Sequence, residues 1–444
     1  MQYRFPYKTG SGIDRMTIPD GFDVRVYAAK SLPEVERSLR DIVRQALLQP
    51  IGLPPLASLL RPNRSVLLVV DDMSRPTPAR DVLGCVLEEI HRAGVQKSRV
   101  RILIALGTHR FMTEKEIAER FGDAIARSYE IRNHEWNNPS ALHEYGTLED
   151  GTRVVLNRAM HESDVVIGVG SIAPHPAAGF SGGGKIIAPG VATDEAVGEF
   201  HWKSVQYPQS AVLGVRDNPM RDQIDAIAGL GGLMYIVNVI MDGSNRVVDA
   251  VCGDPVAAHA VGAARSLGIF GVQIDNPLEG DIFIIDTHPL DQELWQGVKA
   301  LCALECIMPD NALGIVVSPL PEGICQTHPE VLTYGFQPME KVRPLVESGK
   351  LSKVVGHNLV QGGRLLARTT CYLASPGVSE EEAKRMGFRY FSTAQQAVDA
   401  AVEVKGKSAK IVILGMGGEI ATMRRPPTVK LTDNVTAQSS ARNS

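Results

Sequence analysis

The sequence predicts an α/β fold with two domains, each built on a mainly parallel sheet. Three observations predict it. Short β-branched runs alternate with helical periodicity along the chain. Polar residues stand just past the carboxyl ends of those runs, where ligands collect in open parallel sheets. The 444 residues exceed what one hydrophobic core ordinarily organises.

Strands are expected at 65–70, 100–106 and 164–169. They run into Asp71-Asp72, Gly107-Thr-His109 and Gly170-Ser-Ile-Ala-Pro-His175 respectively. Between the first two, a helix is expected from Pro78 to about Ala93, closed by Gly94. Thr113-Glu-Lys-Glu116 spells a capping box, opening a helix that stops near Gly122. A second series begins near 280. Strands are expected at 281–285, ending in Asp286, then at Leu313–Val317, 353–355 and 410–414. Helices are expected at about 291–306, 338–348, 379–386 and 393–404. The stretch 276–280 reads as a linker, which divides the chain into a domain over 1–275 and a domain over 281–424. The tail 425–444 is polar, carries Pro426-Pro427 and shows no periodicity.

Composition narrows the class. With 44% hydrophobic and 22% charged residues and a formal charge of −4, nothing electrostatic calls for nucleic acid or an anionic membrane as partner. No run approaches the ~18 apolar residues of a membrane span, and the N-terminus lacks the apolar region of a signal peptide. The six cysteines are scattered. Only Cys302 and Cys306 are close, at helical i,i+4 spacing, and no CxxC pair exists. Reduced thiols in the cytoplasm are expected, with no disulfide frame or zinc site.

The densest chemistry lies in Gly179-Phe-Ser-Gly-Gly-Gly-Lys185. Seven positions fit a phosphate-binding P-loop. The eighth, which should be the Ser or Thr that holds magnesium, is Ile186. Gly182, Gly183 and Gly184 are therefore expected to let the backbone approach a ligand closely, without magnesium-nucleotide chemistry. Lys185 could serve as a phosphate charge, a Schiff-base amine or another covalent tether; a glycine-rich turn is the plainer reading. His201 follows a short helix capped by Thr193 with acids in its first turn. Its imidazole suits a transition metal. No HxH, HExxH or CxxC cluster completes a site, so most donors to such a metal would come from a cofactor.

Other residues carry weaker signals. Arg75 can fork a carboxylate or phosphate, or brace a neighbouring aspartate. His109 is either a strand-end general base or a buried structural histidine. His175 stands between two prolines, which fix its direction. Asn133-His-Glu-Trp136 reads as structural. Trp295, Gln296 and Lys299 can reach one site from one helical face, unless Lys299 is a surface lysine.

Taken together, DDMSRPTP (71–78), GTHR (107–110), PHPAAGFSGGGKIIAPG (174–190), FHW around His201 and ELWQGVK (293–299) resemble the nickel-pincer lactate racemase family. The blocks fall in the same order, from about residue 5 to 425. The resemblance implies an active site in the cleft between the two α/β domains. It implies a nickel-pincer nucleotide, pyridinium-3-thioamide-5-thiocarboxylic acid mononucleotide with nickel, tethered covalently through Lys185. By the same resemblance His201 is the protein ligand to nickel, and His109 and His175 are the paired acid/base histidines. Asp72, Arg75, Gly182, Gly183, Gly184 and Trp295 would lie at the cofactor, and Arg75, Gln296 and Lys299 at the substrate. The implied activity is racemisation or epimerisation of a 2-hydroxy acid by reversible hydride transfer. The implied partners are cofactor-synthesis proteins and a second copy of the chain. Trp295 departs from the tyrosine of lactate-specific members, which leaves lactate, other 2-hydroxy acids and sugar acids open as substrates.

Two other readings stand beside this one. A cofactor-independent acid/base lyase or dehydratase would use His109 and His175 but has no need of Lys185 and His201. A sensor of nucleotides or organic acids would need no paired histidines.

Overall fold

The computed structural model describes residues 1–32, 37–149, 151–276 and 279–424. The expected polar tail, and Pro277 and Leu278 of the expected linker, lie outside the described residues.

The first sheet has six strands in the order Val247–Gly253, Leu233–Met241, Val165–Ser171, Val66–Asp71, Val100–Ala105, Glu130–Asn133. All neighbours are parallel except the antiparallel outer pair Leu233–Met241 and Val247–Gly253. The central strands are buried along their length, as expected of strands covered by helices on both faces. The chain leaves Val66–Asp71 toward one edge and returns at Val165–Ser171 on the other side of it. The crevice past these two carboxyl ends is thus a topological switch point. It receives Asp72 and the segment leading to His175.

The second sheet runs Arg389–Phe391, Thr370–Ala374, Leu313–Val317, Ile282–Asp286, Lys410–Gly415, Asp23–Ala28, all parallel. Its switch point lies between Ile282–Asp286 and Lys410–Gly415. One apolar cluster runs continuously through both domains, from Val69 and Ile236 to Phe283, Leu301 and Val360. The two domains thus bury apolar surface against each other. Among the described residues no helix is long and apolar enough to cross a membrane, and all six cysteines are free thiols.

The two-domain α/β class is as expected; the boundary is not. Asp23–Ala28 pairs in register with Lys410–Gly415 at the edge of the second sheet. Phe5, Ile13, Met16 and Ile18 pack with Ile284, Ile315 and Tyr372 of the second domain. The first 28 residues therefore belong to the second domain, not to one spanning 1–275. No local pattern could reveal a strand whose partner lies nearly the whole chain away. The strand expected at 353–355 is the first turn of the helix Lys353–Leu366, where Ser352 accepts a hydrogen bond from the Val355 N–H at 3.2 Å. That N-cap outweighs the β preference of two adjacent valines. The capping box at Thr113 and Glu116 forms as expected, and Gly122 closes that helix.

Candidate active site

The loop after Val66–Asp71 is held in one shape by its own side chains. Asp71 is fully committed: one carboxylate oxygen accepts from Thr77 Oγ1 at 2.6 Å, the other from Arg120 at 2.5 Å. Arg120, from the helix Glu114–Phe121, also donates to the backbone carbonyls of Asp71 and Arg75. That clamp presents Asp72 and Arg75 to the cleft. Asp72 accepts from the Ser74 N–H and hydroxyl on one oxygen, and from His109 Nδ1 at 2.7 Å on the other. Burial would raise the Asp72 carboxyl. The bond and charge of His109, then Ser74 and Arg75, outweigh it and hold the group well below the usual carboxylate range. An ionised carboxylate only accepts, so His109 turns an Nδ1–H toward Asp72, and the neutral tautomer this bond selects has its lone pair on Nε2. Gly107 brings the chain round at φ +58°, with its N–H on the Gly190 carbonyl at 2.9 Å.

His175 is buried and set the opposite way. Its Nδ1 accepts the Ala177 N–H at 3.1 Å. A neutral imidazole in that setting carries its proton on Nε2. Burial, then the charges of Lys185, Lys299, Arg75 and His201, push His175 well below the ordinary histidine range. The two histidines are thus inequivalent: one offers a lone pair, the other an N–H.

Lys185 sits in a single 3₁₀ turn, Gly183–Ile186. Burial of its amine, then Arg75, Lys299 and Arg221, push it well below the lysine range, against an opposing pull from Asp72. A neutral amine is a nucleophile. The preceding glycines are closely packed by the protein itself. A Cβ on Gly182 would lie 2.6 Å from Ile172; on Gly183, 2.7 Å from the His259 ring; on Gly184, 2.9 Å from Ala228 Cβ. The Gly183 N–H is spent on Asn238 Oδ1 at 2.8 Å. The missing side chains admit neighbouring protein, and the loop forms a tightly packed pedestal for Lys185. The buried Arg221 guanidinium braces it by donating to the Phe180 carbonyl.

His201 lies on the helix Asp194–Ser204, capped by Thr193 as expected. Its Nδ1–H donates to the Val197 carbonyl at 2.7 Å, leaving Nε2 free to bind. Burial lowers it to about 4, so the ring is neutral, as a metal ligand must be. Among the described residues no group of three or more His, Cys, Asp or Glu could hold a metal ion.

The second domain supplies the facing wall. Trp295, Gln296 and Lys299 stand on the helix Leu294–Ile307. Lys299 is no surface lysine: burial, then Arg75, lower it to about 7, with Glu419 opposing. Arg75 acts on His175, Lys185, Lys299 and Glu419, and its guanidinium has no hydrogen-bond or ion-pair partner among the described residues. Arg75 and Lys299 thus bring cationic charge from both domains beside the Lys185 amine, a setting suited to an anionic ligand. Glu419, in the loop after Lys410–Gly415, is a buried carboxyl beside these cations and is raised by its burial. Sequence reasoning missed it, although Gly417-Gly418-Glu419 follows a recognisable strand end. It also missed Arg120 and the polar helix Lys353–Leu366. His134 is structural, as expected: buried, bonded to the Ala192 carbonyl and to Asn157.

Two α/β domains thus meet around His175, Lys185, His201, Arg75 and Lys299, which act on one another electrostatically. Residues 9–212 match the lactate racemase N-terminal domain and residues 276–421 the lactate racemase C-terminal domain. The chain belongs to the lactate racemase family and is an isomerase. It is 31% identical over 293 residues to a lactate racemase of Thermoanaerobacterium thermosaccharolyticum, covering 65% of this chain and 68% of that one. It is 26% identical over 418 residues to a lactate racemase of Lactiplantibacillus plantarum, covering 91% and 97%. The solved lactate racemase apoprotein from T. thermosaccharolyticum superposes with a TM-score of 0.84 at 26% identity, over 96% of this chain and all of that one. A Thermotoga maritima protein shares the fold at 19% identity and a TM-score of 0.70, over 89% of this chain and all of that one.

Proposed function

We propose that this protein racemises or epimerises a 2-hydroxy acid, with a nickel-pincer nucleotide tethered to Lys185 and bound through its nickel to His201. The observation that carries the reading is the opposite setting of His109 and His175 beside a neutral Lys185. The residues fit the group. Among the described residues no cluster holds a metal alone, and a nucleotide bringing its own donors would need only the free Nε2 of His201 and an anchoring amine. When bound, that cofactor supplies a hydride acceptor and donor at the substrate C2.

Every other part of the chemistry falls to the chain. Removing C2–H as a proton would place a carbanion beside a carboxylate, at large cost. Removing it as hydride, while a histidine takes the hydroxyl proton, gives a planar 2-keto acid open on both faces. Arg75 and Lys299 hold the carboxylate. His109, oriented by Asp72, takes the hydroxyl proton on Nε2, and His175 donates its Nε2–H to the same oxygen from the other side. For the opposite configuration the roles exchange: His175 must then take the proton on Nε2, which requires its Nδ1–H tautomer and so the loss of the Ala177 N–H bond to Nδ1. Maturation by cofactor-synthesis proteins, a cytoplasmic location and a homodimeric assembly belong to the same reading.

The test uses protein co-expressed with cofactor-synthesis proteins and substrate deuterated at C2. Inverted product should keep its deuterium in ordinary water. Wash-out of the label would favour proton abstraction and the lyase-type reading instead.

A further inference from the structure

The second-domain wall nearest His201 is polar where a methyl-sized tail would call for apolar side chains. The helix Lys353–Leu366 packs against both Asp194–Ser204, which carries His201, and Leu294–Ile307, which carries Trp295 and Lys299. The His357 ring meets the His201 ring edge-on, centroids 4.7 Å apart. Asn358 is pinned by its Nδ2, which donates to the Trp295 carbonyl at 3.0 Å. Gln361 follows three and four residues on, on the same helical face. All three are buried, with 6%, 3% and 2% of their surface exposed. Each keeps a polar atom that finds no partner among the described residues: His357 Nε2, Asn358 Oδ1 and Gln361 Nε2.

Buried polar groups are ordinarily satisfied, and each exception asks for a reason. Three on one helix face, beside the free Nε2 of His201, share one reason if the ligand completes them. We propose that this face reads hydroxyl groups on C3 and beyond, so that the substrate is a polyhydroxylated 2-hydroxy acid, of sugar-acid type, rather than lactate. The inference rests on the reading of the site as a 2-hydroxy acid isomerase. The donor set selects hydroxyls over a second carboxylate. The Asn358 amide oxygen accepts, the Gln361 amide nitrogen donates and the His357 ring nitrogen does either by tautomer, so the set matches hydroxyls, which both give and accept. A second carboxylate would call for a cation on this face, and its nearest, Arg364, is spent on the carbonyls of Val205 and Tyr207 and on Glu305.

The test compares holoenzyme on lactate, 2-hydroxybutyrate, glycerate and gluconate, by configuration change at C2 and by calorimetric titration. A site built to bond a substrate hydroxyl rejects the analogue lacking it strongly. The expected kcat/KM therefore favours the hydroxylated acids by about 100-fold or more, with tighter binding in the same order. Asn358→Leu and Gln361→Met should each shrink that ratio about 10-fold. Equal or better turnover and binding of lactate by the wild-type enzyme would overturn the proposal, as would variants that weaken both substrate types in proportion. If no 2-hydroxy acid changes configuration, the isomerase reading fails by itself, and the order of binding affinities still decides whether this wall reads hydroxyls.

Discussion

His109 Nδ1 lies 2.7 Å from Asp72 Oδ2, and that bond decides which nitrogen of the imidazole faces the cleft. The carboxylate is itself held by Ser74, so the histidine is oriented from behind through two hydrogen bonds. Asp72→Asn should keep the shape and lose the preference for the Nδ1–H form. A fall in kcat of about 100-fold is expected, from the usual worth of a positioned general base, with the Lys185 adduct and nickel content intact. An asparagine variant of full activity would show that Asp72 does not set the tautomer.

Tether and metal ligand should separate cleanly. His201→Ala is expected to lose nickel while keeping a mononucleotide-sized mass increase on a peptide containing Lys185. Lys185→Ala should lose the covalent mass and still fold, because the pedestal is held by glycines, Asn238 and Arg221 rather than by the lysine amine. Nickel retained in full by His201→Ala would place the protein ligand elsewhere.

Glu419 should govern the pH dependence of substrate binding. Lys299, lowered to about 7, has Glu419 among the charges that keep it protonated. As pH rises through 7 the ammonium is lost, and KM for a carboxylate substrate should rise. Glu419→Gln removes that support, so the rise in KM should begin at lower pH, with kcat less affected. An unshifted KM profile would mean that the two groups are not coupled in the working enzyme.

His134 makes stability pH-dependent. Its folded value is lowered to about 4 from 6.5, chiefly by burial. Stability from such a group is complete above 6.5, where both states are neutral. It is lost as pH falls toward 4, because the unfolded chain takes up a proton that the fold refuses. Between pH 7 and pH 5 this costs about 2 kcal/mol. Chemical unfolding of His134→Gln should show a shallower loss over that interval; identical slopes would assign the acid sensitivity to other buried histidines.

What the sequence made legible follows from physical range. Val66–Asp71, Val100–Ala105, Val165–Ser171 and Leu313–Val317 are buried on both faces, so each announces itself as a continuous apolar run. His109, His175 and Lys185 were readable as candidates because strand ends and loops are where such groups have no packing duty. The helix Lys353–Leu366 was hidden by its glycines, which weaken any helical signal. A Cβ at Gly362 would lie 2.4 Å from Phe336, and one at Gly363 2.0 Å from the Gln337 carbonyl oxygen. The glycines serve close packing, and close packing is invisible locally. The same holds for the bond between Asp72 and His109, for Glu419 beside Lys299, and for the close packing around Gly182–Gly184. Each is a relation between segments that the chain keeps far apart.

The pairing of Asp23–Ala28 with Lys410–Gly415 sets an order of assembly. During synthesis Asp23–Ala28 leaves the ribosome before its sheet partner, and must wait until almost the whole polypeptide has followed it. Lys410–Gly415 also lies against Ile282–Asp286, so the second sheet can grow from its middle without the amino terminus, whose strand docks last onto a finished edge. Contacts of such long sequence separation form slowly. In pulse-labelled refolding, the amides of Val24 and Val26 should gain protection after those of Ile284 and Ile315; protection in the reverse order would rule this sequence out. The newborn chain thus carries a loose end whose anchoring reports that the second domain is complete.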